Sequence, residues 1–236
     1  MSSAPLLVLV HSPLVGSLTW SLVAKELRRR GIEAVVPSLL DAEPNCGSYW
    51  SAHATAVATA LRGAPPDRRV VLVAHSGAGP LLPALSQRPA NAVACYLFVD
   101  APLPGRDGQS RLDLFEVREA EQFRAAVVDG LIPAVWRSDD SLRALGIEDA
   151  RLRQRFAAEV PDVPLAVYEE PLPVLPDWPD APCGYLLFSA PYEADARRAQ
   201  VRGWAFRELP GGHFHMLVEP LAVADALLNL VHELGA

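Results

Sequence analysis

The chain has few of the features that mark secreted, metal-binding or nucleic-acid-binding proteins. It contains only three cysteines in 236 residues, widely spaced and without a CxxC pair, so we expect neither a disulfide framework nor a cysteine-based metal site. Basic residues number 21 against 28 acidic ones, a net charge of −7, which argues against nucleic acid or an anionic membrane as a partner. No apolar run approaches the roughly 18 residues of a membrane-spanning helix.

Signatures for a nucleotide cofactor and for secretion are also missing. Gly77-Ala78-Gly79 resembles the start of a dinucleotide fingerprint, but the GxGxxG spacing is not completed. We therefore expect no cofactor and no metal, and a small-molecule substrate as the partner, with a homo-oligomer left open. The first residues carry no basic segment before the first apolar run, which favours a cytoplasmic protein.

Short apolar runs alternate with helical patterns along most of the chain. Six runs have the length and composition of buried strands: 6–11, 34–39, 70–74, 94–99, 184–189 and 204–209. Mostly apolar strands separated by helices indicate a parallel sheet covered on both faces. We predict an α/β fold with a doubly wound, mostly parallel six-stranded sheet, in which ligands bind at the carboxyl ends of the strands.

One long segment interrupts this alternation. Residues 102–182 contain helical patterns at 119–128 and 142–160, and seven prolines fall in the last 22 residues of the segment. This is too long for an ordinary crossover, so we predict a helical, proline-rich cap inserted into a core formed by residues 1–101 and 183–236. Four aromatic residues either line the underside of this cap or pack its own small core: Trp136, Phe156, Tyr168 and Trp178.

Ser76 stands where a buried strand run ends abruptly. Small residues, Ala74 and Ala78, lie two positions before and two positions after it. This spacing is typical of a sharp strand-to-helix turn that exposes a serine hydroxyl at the end of a sheet. The same turn directs the N–H of Gly77 toward a bound ligand. Ser76 is thus a candidate nucleophile, and the alternative is a serine that only caps the next helix.

Together with this turn, two further motifs resemble those of the α/β-hydrolase family. They are His11 at the end of the first strand run and Gly212-His213 near the end of the chain. The resemblance extends from Leu6 to Leu234 and implies the family's six-stranded core without its first two strands. It also implies a catalytic triad in the order serine, acid, histidine. His213 matches the histidine position better than its competitor His215.

The acid of the triad has three candidates. The commoner family position follows the fifth strand, where this chain has Tyr192. Glu193 lies one residue later and Asp195 three, and both also suit the first turn of a helix. Asp100 directly follows the fourth strand run, a position that other branches of the family use. We favour Asp100, with Glu193 as the alternative acid.

The predicted oxyanion hole departs from the family pattern. Gly77 supplies one N–H, and the second donor normally comes from a His-Gly loop after the first strand. Here Ser12 replaces that glycine, and Pro13 has no N–H to donate. The second donor is then expected to be the Leu14 N–H or the Ser12 hydroxyl.

From these residues we predict a serine hydrolase that cleaves a small, fairly apolar ester, thioester or lactone through an acyl-enzyme on Ser76. The unusual loop after the first strand keeps a second hypothesis open, in which the same serine and histidine carry out non-hydrolytic lyase or isomerase chemistry. A third is a ligand-binding protein that has lost catalysis, because fold alone does not establish function.

Overall fold

A computed structural model describes residues 4–40, 48–87 and 91–236 of the chain, so that Cys46 lies outside the described residues. Its strands, numbered along the chain, are β1 Leu6–Val10, β2 Ala34–Val35, β3 Val70–His75, β4 Val93–Val99, β5 Leu131–Ile132, β6 Val163–Pro164, β7 Cys183–Leu187 and β8 Ala205–Glu208. Its helices are α1 Leu18–Arg29, α2 Tyr49–Ala60, α3 Leu82–Leu85, α4 Val117–Ala125, α5 Asp139–Ala144, α6 Ala150–Ala158, α7 Ala166–Glu169, α8 Glu193–Val201, α9 His215–Val218 and α10 Pro220–Glu233.

Six of the strands form one parallel sheet in the order β2-β1-β3-β4-β7-β8. The predicted α/β class and its doubly wound six-stranded sheet are confirmed. The chain runs outward from β1 to β2 and then returns to β3 on the other side of β1. The carboxyl ends of β1 and β3 therefore border the topological switch point, where open α/β sheets bind ligands.

The central strands are buried along their whole length because helices cover both faces of the sheet. Every residue of β1 and β3 is buried, as expected for strands with no solvent-facing side. One face packs on α1 and α10, with Trp20 and Leu227 fully buried there. The other face packs on α2, α3 and α8, where Val57 and Leu82 are fully buried.

Three details differ from the sequence-based expectations. The second strand is only two residues long, since pairing with β1 ends at Val35. The helix after Ser76 begins as a 3-10 helix over Ser76–Leu81 and continues as the short α3, consistent with prolines at 80 and 83. The pattern at 142–160 forms two helices, α5 and α6, because Gly146 adopts a left-handed φ of 83° between them.

The segment between β4 and β7 contains α4 to α7 and a two-stranded antiparallel pair, β5 with β6. Its four aromatic residues have different surroundings. Phe156 packs on Phe214 in the main core, and Trp178 packs on Tyr96 of β4. Trp136 and Tyr168 lie closer to Ser76 and His213, as described below. Within the described ranges, no helix combines the length and apolarity needed to cross a membrane.

Candidate active site

Ser76 occupies a strained turn at the carboxyl end of β3. Its φ is 54°, in the left-handed region that non-glycine residues rarely adopt. The neighbours Ala74 and Ala78 are both fully buried, as expected for the small residues that this turn requires on either side. Backbone strain of this kind is found where the surrounding structure holds a functional side chain in place.

Three side chains form a continuous hydrogen-bonded line at this edge of the sheet. The Ser76 Oγ lies 3.0 Å from His213 Nε2, and His213 Nδ1 lies 2.8 Å from Asp100 Oδ2. A carboxylate only accepts hydrogen bonds, so Nδ1 carries the proton and Nε2 is free to accept the proton of Ser76. The arrangement matches the hydroxyl–imidazole–carboxylate geometry that activates a serine.

Asp100 is held by donors from the neighbouring strand end. Its side chain is 0 % exposed, and its φ is 44°. The N–H groups of Phe188 and Ser189 each donate to Oδ1 at 2.9 Å, and the Ser189 hydroxyl donates to Oδ2 at 2.5 Å. Because these donors come from the turn after β7, the buried carboxylate that directly follows β4 is solvated by protein and kept in one orientation.

The alternative site residues face other partners. Glu193 is half exposed and pairs with Arg197 at 3.1 Å, so the structure does not bring it to His213, contrary to the alternative drawn from the sequence. Asp195 accepts the N–H of Leu103 at 2.9 Å. His215 packs edge-on against Phe188 and has no hydrogen bond to Ser76. The structure brings together Ser76, His213 and Asp100.

His75, the residue before Ser76, positions the catalytic histidine candidate. Its Nε2 lies 2.9 Å from the carbonyl oxygen of His213, and the two rings lie 4.4 Å apart. Burial holds the pKa of His75 well below its usual value, so the ring is neutral and donates from Nε2. Sequence reasoning missed this role because His75 gains its partner only through the loop that follows β8.

Tyr192 is the second residue near Ser76 that sequence reasoning did not assign to the site. Its ring stacks on His213 with centroids 5.0 Å apart and planes 9° apart. Its hydroxyl lies 3.5 Å from Ser76 Oγ, and burial raises its pKa above the ordinary range. The one available signal was its position, since Tyr192 stands where the family's commoner acid is expected.

The loop after β1 is fixed by a buried histidine. The N–H of Leu39 donates to His11 Nε2 at 3.1 Å, so Nδ1 carries the proton and donates to the Ser12 carbonyl at 2.8 Å. Burial lowers the pKa of His11 to about 4, which keeps this imidazole neutral. Its partners hold the loop beside Gly77, the first residue after Ser76.

The predicted Leu14 donor is already engaged. Its N–H points to the Ser12 Oγ at 3.3 Å, so in the absence of a ligand this N–H is directed to a neighbouring hydroxyl. Gly77 is the second residue of the 3-10 helix, where an N–H has no partner within the helix, and it keeps its assignment as a donor. The Ser12 hydroxyl, the other predicted second donor, lies on the same side of Gly77.

The part of the chain that the structure describes contains no candidate metal site. No group of three or more histidine, cysteine or acidic side chains there is arranged to hold a metal ion. Cys95 and Cys183 are buried in β4 and β7 as free thiols, as expected for core residues. Burial raises the pKa of each to about 12, so both are protonated and unreactive at neutral pH.

Comparison with known proteins agrees with this architecture. The model of the alpha/beta hydrolase family matches residues 7–226, and the chain belongs to that family. No curated protein sequence matches the chain.

Solved structures with the same fold include hydrolases and one synthase. An extracellular α/β-hydrolase from a Paenibacillus species, described as sharing structural and functional homology with tobacco salicylic acid binding protein 2, is 22 % identical with a TM-score of 0.74, over 96 % of this chain and 99 % of that one. A pyrethroid hydrolase from Sphingobium faniae JZ-2 is 18 % identical with a TM-score of 0.68, over 98 % of both chains. Tomato methylketone synthase I is 14 % identical with a TM-score of 0.73, over 98 % and 99 %.

Proposed function

We propose that the protein is a serine hydrolase that cleaves a small, fairly apolar ester, thioester or lactone through an acyl-enzyme on Ser76. The observation that carries this proposal is the unbroken line from Ser76 through His213 to the buried carboxylate of Asp100. A serine hydroxyl is a weak nucleophile unless a base lies within hydrogen-bond distance. Here the base is present, and its tautomer is held by the carboxylate.

The proposed reaction has two halves. Ser76 Oγ attacks the carbonyl carbon while its proton passes to His213 Nε2, and the carbonyl oxygen takes up the electron pair of the C=O double bond. Collapse of this intermediate expels the leaving group, which takes the proton from His213. Water then repeats the sequence on the acyl-enzyme and releases the acid. Asp100 stabilises the imidazolium that forms in each half.

The surroundings of His213 support an apolar acyl or alcohol group. Besides Tyr192, the ring of Trp136 lies 6.1 Å from His213, and both of these aromatic side chains are only partly buried. Aromatic walls with few convergent polar groups are typical of sites for small apolar ligands. The pyrethroid hydrolase among the similar structures supports hydrolysis as the reaction class. A small-molecule substrate remains the expected partner.

A fluorophosphonate probe tests the proposal directly. We expect the wild-type protein to be labelled at Ser76, as located by peptide mass spectrometry, and to hydrolyse p-nitrophenyl acetate. Ser76→Ala should abolish the labelling and reduce turnover by about 10⁶-fold, as loss of a triad nucleophile does. Ser86→Ala is the matched control, since its hydroxyl contacts the Pro83 carbonyl and the Tyr96 phenol and not the residues of the proposed triad. Wild-type protein with neither labelling nor turnover would refute the proposal.

A second candidate is non-hydrolytic acid–base chemistry by the same serine and histidine. The observation that favours it is the loop after β1, in which Pro13 has no N–H and the Leu14 N–H is engaged by Ser12. A poor oxyanion hole would disfavour a tetrahedral intermediate. Detection of an acyl adduct on Ser76 by intact-protein mass spectrometry after reaction with a chromogenic ester would exclude this candidate.

A further inference from the structure

The oxyanion side of Ser76 has a donor that does not belong to the loop after β1. Gly77 provides one N–H, whereas Pro13 has none and the Leu14 N–H is directed to the Ser12 hydroxyl. A developing oxyanion stabilised by one donor instead of two typically costs about 10²- to 10³-fold in rate. An efficient hydrolase of this geometry therefore requires a second donor near Gly77.

Two hydroxyl groups lie against Gly77 where any other residue would carry a side chain. A Cβ at this position would stand 2.7 Å from the Tyr168 hydroxyl oxygen and 3.1 Å from Ser12 Oγ. Both residues are buried, at 5 % and 3 % exposure. Glycine at position 77 thus allows two hydroxyls to approach the backbone that carries the first oxyanion donor.

The hydrogen bonds of these two hydroxyls leave one proton free. The Ser12 oxygen accepts the Leu14 N–H, and the Ser12 hydroxyl interacts with the Tyr168 phenol oxygen. The pair has two O–H protons, and only one can lie between the two oxygens. The other proton is then available to a bound ligand. Because the Ser12 hydroxyl donates to the phenol oxygen, the free proton is that of Tyr168, and a phenol is a stronger donor to an anion than an aliphatic hydroxyl.

A buried arginine stabilises Tyr168 in this position. The Arg111 guanidinium carbon lies 5.6 Å from the centre of the Tyr168 ring, a cation–π contact. Arg111 Nε donates to the Gly77 carbonyl at 3.0 Å, and its Nη1 donates to the Val167 carbonyl. Arg111 thus joins the residue before Tyr168 to the residue after Ser76.

The same arginine places a positive charge behind the phenol. It is only 2 % exposed, and its nearest acidic group, Glu170 Oε1, stands 3.6 Å from Nη1. Burial nevertheless raises the pKa of Tyr168 above its usual value, so the phenol keeps its proton at neutral pH. A protonated phenol with a cation behind its ring is suited to hydrogen-bond an anion.

From this geometry we infer that Tyr168 is the second oxyanion donor of the proposed hydrolase, with Ser12 and Arg111 as positioning residues. When Ser76 Oγ bonds to the carbonyl carbon, the carbonyl oxygen gains negative charge and accepts hydrogen bonds from the Gly77 N–H and the Tyr168 O–H. No proton leaves Tyr168, and the proton of Ser76 still passes to His213. The inference rests on the proposed function and specifies its oxyanion site.

Removal of the phenol hydroxyl tests this role. We expect Tyr168→Phe to lower kcat/KM for p-nitrophenyl acetate by about 100-fold, mostly through kcat, because the interaction strengthens only as charge develops. The pre-steady-state burst should slow by the same factor. Tyr96→Phe is the matched control, since it removes a buried phenol hydroxyl that bonds Asp180 at 2.7 Å, away from Ser76, and it should leave kcat/KM unchanged.

A second variant keeps the ring and its hydroxyl in place. Replacement of Tyr168 by 3,5-difluorotyrosine, through amber suppression, makes the phenol more acidic without removing the donor. We expect this enzyme to lose activity as pH rises and the phenol ionises, while the wild-type enzyme shows no such loss over the same range. A tyrosine with only a packing role would produce no new pH dependence.

The possible outcomes separate the two proposals. A wild-type enzyme without a burst and without acylation of Ser76 refutes the hydrolase and, with it, the Tyr168 assignment. A wild-type burst combined with normal burst rates in Tyr168→Phe refutes only the assignment of Tyr168. If Tyr168→Phe does not fold, as judged by circular dichroism, the difluorotyrosine pH profile decides: a new alkaline loss supports the donor, and an unchanged profile overturns it.

Discussion

The two sides of the Ser76 hydroxyl are constructed differently. On the proton-relay side, Asp100 and His213 follow strands of the sheet, and Phe188 and Ser189 solvate the carboxylate from the strand end beside it. On the proposed oxyanion side, the loop after β1 contributes Ser12, to which the Leu14 N–H is directed, whereas Tyr168 and Arg111 come from the segment inserted between β4 and β7. The hydrogen bonds of the relay therefore come from residues at the strand ends of the sheet, whereas the proposed oxyanion side also draws its hydrogen-bonding groups from the inserted segment.

Each side is nevertheless braced by a buried, neutral histidine. His75 donates to the backbone of His213 on the relay side. His11 bridges Leu39 and Ser12 on the oxyanion side. In both cases burial lowers the imidazole pKa, so the ring can serve as a fixed hydrogen-bonding group at neutral pH. The two sides differ in the chemistry of their functional groups rather than in how firmly their loops are held.

The largest loss of activity is expected from a substitution on the relay side. Asp100→Asn should keep the packing but lose the carboxylate that holds His213 in the productive tautomer, lowering kcat by about 10⁴-fold. Steady-state hydrolysis of p-nitrophenyl acetate measures this loss. Glu193→Gln is the matched control and should retain wild-type kcat, because Glu193 pairs with Arg197. A comparable loss in the control would show that the acid has been assigned to the wrong residue.

Acid should lower the free energy of unfolding through three buried histidines: His11 and His75 beside the site, and His53 on α2. Burial lowers the pKa of His11 to about 4, that of His53 to about 3 and that of His75 well below its usual value. The unfolded chain takes up these protons first as pH falls through about 6.5. The stabilisation present above that pH is therefore lost toward pH 4, by about 1.4 kcal/mol per pH unit for each histidine.

Urea unfolding between pH 7 and 4.5 measures how steeply the free energy of unfolding changes with pH. Single-histidine variants show how much of this slope each histidine contributes. His53→Leu should reduce the slope by the contribution of one histidine, since His53 titrates only after unfolding. His232→Leu is the control, because His232 is exposed on α10 and should leave the slope unchanged. Equal slopes in all three proteins would contradict the neutral state of His53.

A smaller loss of activity is expected from a substitution on the oxyanion side. Ser12→Ala removes the hydroxyl between the Leu14 N–H and Tyr168 but leaves the Tyr168 phenol, so we expect kcat/KM to fall by about tenfold, the loss of one hydrogen bond. The assay is again p-nitrophenyl acetate hydrolysis, with Ser21→Ala on α1 as the control. A loss of about 10³-fold would instead identify Ser12 itself as the second donor.

Much of the fold and part of the site could be predicted from local pattern. Buried strand runs, the small residues around Ser76 and the glycines before His213 are short-range signals, and they led to the correct class and sheet. The length of β2 and the interruption between α5 and α6 at Gly146 could not be predicted. The first depends on pairing with β1, and the second depends on a backbone angle. The role of Tyr168 carried no signal, since an isolated tyrosine in a proline-rich segment has no distinguishing spacing.

The sequence by itself determined the alternation of strands and helices, the strained turn at Ser76 and the order of serine and histidine along the chain. These depend on apolar periodicity and on residues adjacent in the chain. Only the tertiary structure decided that the carboxylate of Asp100, 113 positions from His213, faces the imidazole while Glu193 does not. It also placed Tyr168 against Gly77. Such contacts depend on which strand ends and loops the folded sheet brings together, and local sequence patterns do not specify these long-range pairings.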